Sequence, residues 1–373
     1  MIRLLLLAFF STTIVLAVSP EVTFENSNFT INRPIDSTKE KTLYNYNRFR
    51  LTASIHQDNW FFTSIGDIEN YLGKEIISST PYLLNRRIEA DTPFSTQTGL
   101  SNYGRGEYSG KLYRLYGGYV DAKHRISFGL QKISMGVGRI WNPSDLFNPK
   151  NSLSLEPDEV YGVFSLVYTY SINDLTQITK VIAEQKNHNF KYASSIKGYV
   201  EVVDLALNLI SSDDSSMLGY EIEGEIFDTG FALRSEGGWF EDKILKEEFL
   251  QGIVGADYTF ENSLSLTSEW LYSSKIFSKE QIVSTSLSMQ NNLMRSKSYA
   301  GLVIGYEFDV LLYGNLLGIT NTNDRSFYIA PSLRYSLDDD MTVQIASMLY
   351  DGKDGSEFGD IGQTYYVNFK VTF

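Results

Sequence analysis

The chain has no cysteine, only three histidines, four tryptophans and eight prolines among its 373 residues. Without cysteine there is no disulfide framework, no thiolate-held zinc or iron–sulfur cluster, and no thiol nucleophile. His56, His124 and His188 stand far apart, which leaves little material for an imidazole metal site or a Ser–His catalytic pair. Positive charge is short as well: 32 Lys and Arg face 45 Asp and Glu, a net charge of −13. Phosphate recognition needs a basic face, so nucleic acid is excluded as a partner. Beyond residue 17 no apolar run is long enough for a membrane helix. What is abundant is aromatic: 25 Tyr and 23 Phe. The mean hydropathy is −0.18.

Met1 to Arg3 is a short basic start, and Leu4 to Ala17 is almost uninterrupted apolar sequence. Val15 and Ala17 supply the residues wanted at −3 and −1 of a cleavage site. Residues 1–17 therefore read as a cleaved secretory signal peptide, too short for a membrane anchor, with 18–373 as the mature chain.

From residue 42 onward the hydrophobic period is two. Leu218, Tyr220, Ile222, Gly224 and Ile226 alternate with Gly219, Glu221, Glu223 and Glu225. As a helix that segment would smear both classes around its axis; as a strand it separates them onto two faces. Leu205, Leu207 and Leu209 alternate in the same way with Asp204, Ala206 and Asn208, and Phe49, Leu51 and Ala53 with Arg48, Arg50 and Thr52. Seventeen such segments, most about ten residues long, are predicted between residues 43 and 373, the length a tilted membrane strand needs. Alternation is blurred at 175–185, 189–197 and 312–320, and Pro331 predicts a bulge or local break.

Connection lengths are sorted. The turns at 121–124, 172–174, 228–230, 261–263 and 338–340 are tight, whereas 72–107, 136–158, 275–297 and 352–362 are long and polar. Tight turns at one end and long loops at the other are the pattern of transmembrane barrels, with the turns periplasmic and the loops extracellular. Placing both termini on the periplasmic side requires a further upward strand within 22–33. The predicted fold is all-β: a single transmembrane antiparallel β-barrel of eighteen strands, or sixteen if two blurred segments are not strands.

The last residues alternate Tyr365, Val367, Phe369, Val371 and Phe373 with Tyr366, Asn368, Lys370 and Thr372. A terminal strand ending on Phe373 resembles the signal that the outer-membrane barrel assembly machinery reads. The segment Asn142-Pro143-Ser144-Asp145-Leu146-Phe147-Asn148-Pro149, after a glycine-bearing Gly136-Val137-Gly138-Arg139, resembles an element of uncharacterised porin-like barrels. On these features the chain resembles the Gram-negative outer-membrane porins. The resemblance implies a cell outer membrane location, contact with lipid and lipopolysaccharide, passage of small hydrophilic solutes, a possible homotrimer, and no cofactor.

In such barrels the third loop folds into the lumen. Here 136–158 is the candidate constriction loop. Gly136 and Gly138 permit an inward bend, and Pro143 and Pro149 stiffen the segment after it. Arg139, Trp141, Asn142 and Asp145 are its candidate channel residues, with Asp145 near the channel. Pore-lining charges are inferred from the face opposite each apolar stripe. Arg48, Arg50, Arg114, Arg334 and Lys370 form a basic arc; Asp204, Glu221, Glu223, Glu225, Glu236, Asp257, Glu269 and Glu307 form an acidic arc, with Arg234 as an exception. Opposed walls of this kind set a transverse field across a water-filled channel. The net charge leans toward cation preference. Trp60, Trp141, Trp239 and Trp270, with Tyr44, Tyr119, Tyr168, Tyr258, Tyr272, Tyr306 and Tyr350, fit interfacial girdles. An aromatic sugar slide would need Tyr116, Tyr328 and Tyr366 in the lumen.

The expected function is passive, partly selective diffusion of small hydrophilic solutes. A structural or adhesin-type barrel plugged by its loops is the alternative, as is a substrate-specific exporter or importer. An enzyme barrel lacks a nucleophile motif beside any histidine. The acid-rich stretch 351–360 lacks the spacing of a calcium loop.

Overall fold

A computed structural model describes residues 20–34, 41–85, 89–148, 150–226, 229–286 and 293–373. The predicted signal peptide, Pro149 and Asp228 lie outside these. The strands are β1 (Glu21–Pro34), β2 (Lys41–Gln57), β3 (Trp60–Leu72), β4 (Gln97–Tyr103), β5 (Gly106–Val120), β6 (His124–Gln131) and β7 (Val163–Asn173). Next come β8 (Thr176–Glu184), β9 (Phe190–Val200), β10 (Val203–Ser211), β11 (Ser215–Glu225), β12 (Ala232–Asp242) and β13 (Glu247–Thr259). The last are β14 (Leu264–Ser273), β15 (Ser298–Asp309), β16 (Leu312–Asn321), β17 (Phe327–Asp338), β18 (Met341–Asp351) and β19 (Thr364–Thr372).

Each strand pairs antiparallel with its neighbours, and β1 pairs with both β2 and β19, so the sheet closes on itself. Closure leaves no sheet edge exposed to lipid. β4 is an excursion: it pairs with β5 alone, above the end of the short β6, while β3 pairs directly with β5. The wall is therefore an eighteen-stranded barrel, as predicted, and the blurred segments are its strands β8, β9 and β16. The added upward strand is β1.

The period of two decides what each face meets. On β11 Leu218, Tyr220 and Ile222 are exposed on the outer wall, while Met217 and Glu221 are buried inside. Outward apolar side chains cover the barrel from Phe24 to Phe373. No described helix is long and apolar enough to cross a membrane. Pro331 produces a local break and no bulge: pairing of β17 with β18 lapses between Ile329 and Ser332, and the register resumes unshifted. A proline lacks the N–H that the ladder needs there.

Three aromatic assignments are corrected. Trp60, Trp239 and Trp270 are exposed on the outer wall, but Trp141 sits inside the barrel near Tyr299. Tyr44 and Tyr350 also point inward, Tyr44 in a cluster with Phe29, Ile31 and Ile76, Tyr350 against Tyr328 and Phe358. Both lie on the same strand face as buried residues, so their position near strand ends was a poor guide. Long connections are gathered at one end, the loop end, yet several connections there are short, such as Ser212–Asp214 between β10 and β11.

Candidate functional site

The long connection from Lys132 to Gly162 runs inside the barrel as a strap. It is wider than 136–158, because β6 stops at Gln131 and β7 starts at Val163. Ile133 and Met135 keep the strand-like alternation but leave the wall. With Phe147 they pack on inward residues of the facing wall, including Val181, Ile210, Met217, Phe240 and Phe249. Ile140 packs against Ile253, Leu271 and Tyr299. Each such side chain contributes about 1.5–3 kcal/mol by leaving water, so the strap is seated as part of an internal core. Asn148 ties its two legs together, its Oδ1 accepting from the Ile133 N–H at 2.6 Å and its Nδ2 donating to the Tyr161 carbonyl.

The acidic arc holds one half of the strap through backbone amides. Glu221 accepts from the Gly136 N–H at 2.7 Å. Glu236 accepts from Val137, from Gly138 at 2.8 Å and from Ser144 at 3.0 Å. Glu269 accepts from Arg139 at 2.6 Å, Ile140 at 2.9 Å and Trp141 at 3.1 Å. A run of N–H groups converging on carboxylates is an anion nest turned inward, and charge-assisted bonds of this type are the strong ones. Gly138 is needed in this turn, since a Cβ there would lie 1.7 Å from the Trp141 carbonyl oxygen. Arg234 lies between Asp257 and Glu269 and neutralises part of the wall.

The basic arc holds the other half through side chains. Arg48 pairs with Glu156 at 2.9 Å and Glu159 at 3.1 Å of the strap, and with Glu25 of β1 at 3.0 Å. Arg50 grips Asp67 at 2.7 Å and Glu159 at 2.9 Å. Arg114 donates to the Val160 carbonyl at 2.7 Å. A bulge in β5, opposite Ile65 and Gly66 of β3, lets consecutive Tyr113 and Arg114 both face inward, where strict alternation would admit one. The Tyr113 ring lies between Arg50 and Arg114, 4.1 and 4.0 Å from their guanidinium carbons. Burial pushes the Glu156 carboxyl up to about 7, against the pull of Arg48. Burial also acts on Glu159, but hydrogen bonds from Arg50 and Tyr113 and the charge of Arg48 outweigh it and hold Glu159 at about 2.

Arg48, Arg50 and Arg114 on one side and Glu221, Glu236 and Glu269 on the other face inward and are engaged by the strap. Lys370 joins the basic arc through Glu25 at 2.6 Å. Arg334 stands over the Tyr313 ring, away from that cluster. Asp204, Glu225 and Glu307 face inward near the turn end, and Glu225 accepts from the Gly230 N–H at 2.7 Å. Glu223 meets Arg139, whose half-exposed guanidinium donates to it at 2.6 Å. Asn142 donates to the Met135 carbonyl at 2.6 Å. Asp145 is corrected: it is buried, accepting from the Asn148 N–H at 2.7 Å and the Phe147 N–H at 3.0 Å, and so caps a turn within the strap away from the channel. Tyr328 and Tyr366 are packed among other aromatics, so they line no sugar slide. Reasoning from strand faces missed Glu156 and Glu159, since loop residues carry no alternation; their spacing three apart beside an acidic stretch was the available signal.

Between strap and turn end lies a cavity of about 620 Å³. Arg114, Arg125, Lys132 and Lys197 line it with Tyr113 and Tyr116, and Glu221 is the acid on its wall. Among the described residues, Arg125, Lys132 and Lys197 form no salt bridge. Such a chamber collects anions and offers aromatic faces to a flat solute.

No family model and no curated protein matches the chain. Solved structures do. OccAB4 of Acinetobacter baumannii has 12% identity and a TM-score of 0.59, covering 95% of this chain and 98% of that one. OpdK of Pseudomonas aeruginosa, solved with vanillate, has 8% identity and a TM-score of 0.58 over 95% and 98%. A BenF-like porin of Pseudomonas fluorescens has 11% identity and a TM-score of 0.58 over the same shares. At such identities the shared property is architecture: this chain has the fold of eighteen-stranded outer-membrane porins.

Proposed function

We propose that this protein is an outer-membrane channel, exported by residues 1–17, through which small hydrophilic solutes diffuse passively past the strap. The outer wall is apolar and the inner wall charged, which suits a barrel with lipid outside and water inside. The assembly role of Phe373 and a neighbourhood of lipid and lipopolysaccharide belong to the same reading. The observation that carries the solute preference is the cation-lined cavity beneath the strap. Glu221, Glu236 and Glu269 accept strap amides, and the cavity itself is lined by four cations with Glu221 as its acid, so the local charge there favours small organic anions, opposite to what the net charge of −13 suggests. OpdK was solved with vanillate, an aromatic carboxylate; a solute of that class would meet Tyr113, Tyr116 and the four cations here.

The test is reversal potential in planar bilayers under a KCl gradient, together with liposome swelling. Anion preference and swelling with small carboxylates are expected. Cation preference would overturn the charge argument; no permeation of any small solute would overturn the channel and favour a plugged structural barrel.

A further inference from the structure

At the loop end three separate connections bring polar groups to one point. Asp91 belongs to the long connection between β3 and β4, Gln185 opens the turn between β8 and β9, and Asp214 sits in the short turn between β10 and β11. The Gln185 amide nitrogen lies 2.9 Å from Asp91 Oδ2 and 3.2 Å from Asp214 Oδ2. The chain explains the convergence. Gln185 keeps the inward phase of Val181 and Ala183 one residue beyond β8, and the pairing of β9 with β10 sets the two turns side by side. The segment around Asp91 is docked on them. Asp91 Oδ1 accepts from the Lys186 N–H at 2.8 Å, Glu89 pairs with the Lys186 ammonium at 3.6 Å, and Ala90 and Thr92 are buried.

Two features leave this junction incomplete. The first is charge. Among the described residues neither Asp91 nor Asp214 forms a salt bridge. A single neutral amide lies between two carboxylates, whose oxygens stand no more than about 6 Å apart and repel each other. Lys191 is the nearby cation, but its ammonium is buried, donates to the Leu146 carbonyl at 2.9 Å, and is one charge against two. The second is an orphan. The Gln185 side chain reaches both carboxylates, is only 4% exposed, and its Oε1 has no partner. Buried polar oxygens are nearly always paired, so an unused one asks for a ligand. A half-turn of the amide exchanges its oxygen and nitrogen and carries that oxygen to the two carboxylates.

We propose that this junction binds a divalent cation of the calcium class, held by Asp91, Asp214 and the Gln185 amide oxygen, with water completing the shell. Such cations take carboxylate and amide oxygens at roughly 2.3–2.6 Å, which sets neighbouring ligands about 3 Å apart. The separations of 2.9 and 3.2 Å around the Gln185 amide already have that spacing. Two charged ligands give weak affinity, with Kd on the order of 10⁻⁴–10⁻³ M, the range of extracellular calcium modules. Because the ligands come from three connections, the ion fastens the β3–β4 connection to the tips of two hairpins.

Calorimetric titration of CaCl2 into the folded, chelator-treated full chain in detergent tests this, with KCl holding the ionic strength constant. One saturable site is expected. Asp91→Asn should abolish it while keeping the oxygen that accepts from Lys186, so the docking of the segment survives. Asp354→Asn, in the exposed acid-rich stretch before β19, should bind like wild type. Gln185→Glu separates a cation site from a plain hydrogen-bond tie. A third charged ligand should tighten calcium binding roughly tenfold, whereas a tie would only lose its donor. Folding of every variant is verified by heat-modifiable mobility. No saturation of folded wild type by about 10 mM CaCl2, undiminished binding in folded Asp91→Asn, or binding no tighter in folded Gln185→Glu would each overturn the proposal.

Discussion

Replacing Glu236 should unseat the strap while leaving the barrel intact. Its side chain is fully buried and accepts the amides of Val137, Gly138 and Ser144. A hydrogen bond to a charged group contributes about 1.5–3 kcal/mol. Water recovers part of three such bonds once the strap lifts, so Glu236→Ala loses roughly 3–5 kcal/mol of seating energy. That shifts the balance between seated and lifted strap by a factor on the order of 10²–10⁴. Glu236→Gln acts in the same direction, because its amide N–H faces strap N–H groups where a carboxylate oxygen stood. Glu223→Gln is the control: it sits two residues along from Glu221 on the same strand face, touches only the half-exposed Arg139, and loses at most about 1 kcal/mol. Single-channel recording is the assay. Open-channel noise and mean conductance should rise in both Glu236 variants and stay near wild type in Glu223→Gln. If folded Glu236→Ala and Glu236→Gln record like wild type, the carboxylate does not hold the strap and the reasoning fails.

The same geometry sets further outcomes. Glu156 is raised to about 7 and Glu159 held at about 2, so acidification from pH 8 to 5.5 protonates Glu156 alone of the pair. A raised carboxyl is penalised when ionised, so its protonation does not weaken the seated strap, whereas the stability from Glu159 is intact at pH 5.5 and is lost progressively as pH falls from 4.5 to about 2. Arg48 then faces one acid fewer, and anion preference should grow at pH 5.5 in wild type but not in Glu156→Gln, read as reversal potential. Charge reversal at Lys132 and Lys197 together should move the reversal potential toward cations, most strongly at low salt, where screening is weakest. Gly138→Ala, whose Cβ would overlap the Trp141 carbonyl, should cost about 1–3 kcal/mol of strap packing and raise channel noise without loss of heat-modifiable mobility.

The barrel was legible in sequence because one physical rule acts on every strand: the side-chain period of two sorts apolar from polar wherever lipid and water lie on opposite faces. That rule located Glu221, Glu236 and Glu269 inside. It failed where the rule does not operate. Ile133 and Met135 alternate like strand residues, yet they bury against the inner wall, so the strap begins at Lys132, ahead of the expected Gly136. Asp145 looked like a channel charge because loops carry no facing signal. Tyr113 escaped notice because a single bulge on β5 breaks the phase.

The strap is gripped in two chemically different ways, and this bears on how such a channel changes over generations. On the acidic side it offers chiefly main-chain N–H groups, which nearly every amino acid possesses, with the Arg139 guanidinium on Glu223 as the side-chain contact. A substitution at exposed Arg139 can alter the surface a passing solute meets while the amide attachment persists, whereas Gly136 and Gly138 have no room for a Cβ and Val137 and Ile140 are buried. On the basic side the attachment is Glu156 and Glu159 themselves, so a change there alters position and charge at once. One end of the strap is thus open to inherited variation in solute preference, and the other fixes where that variation is displayed.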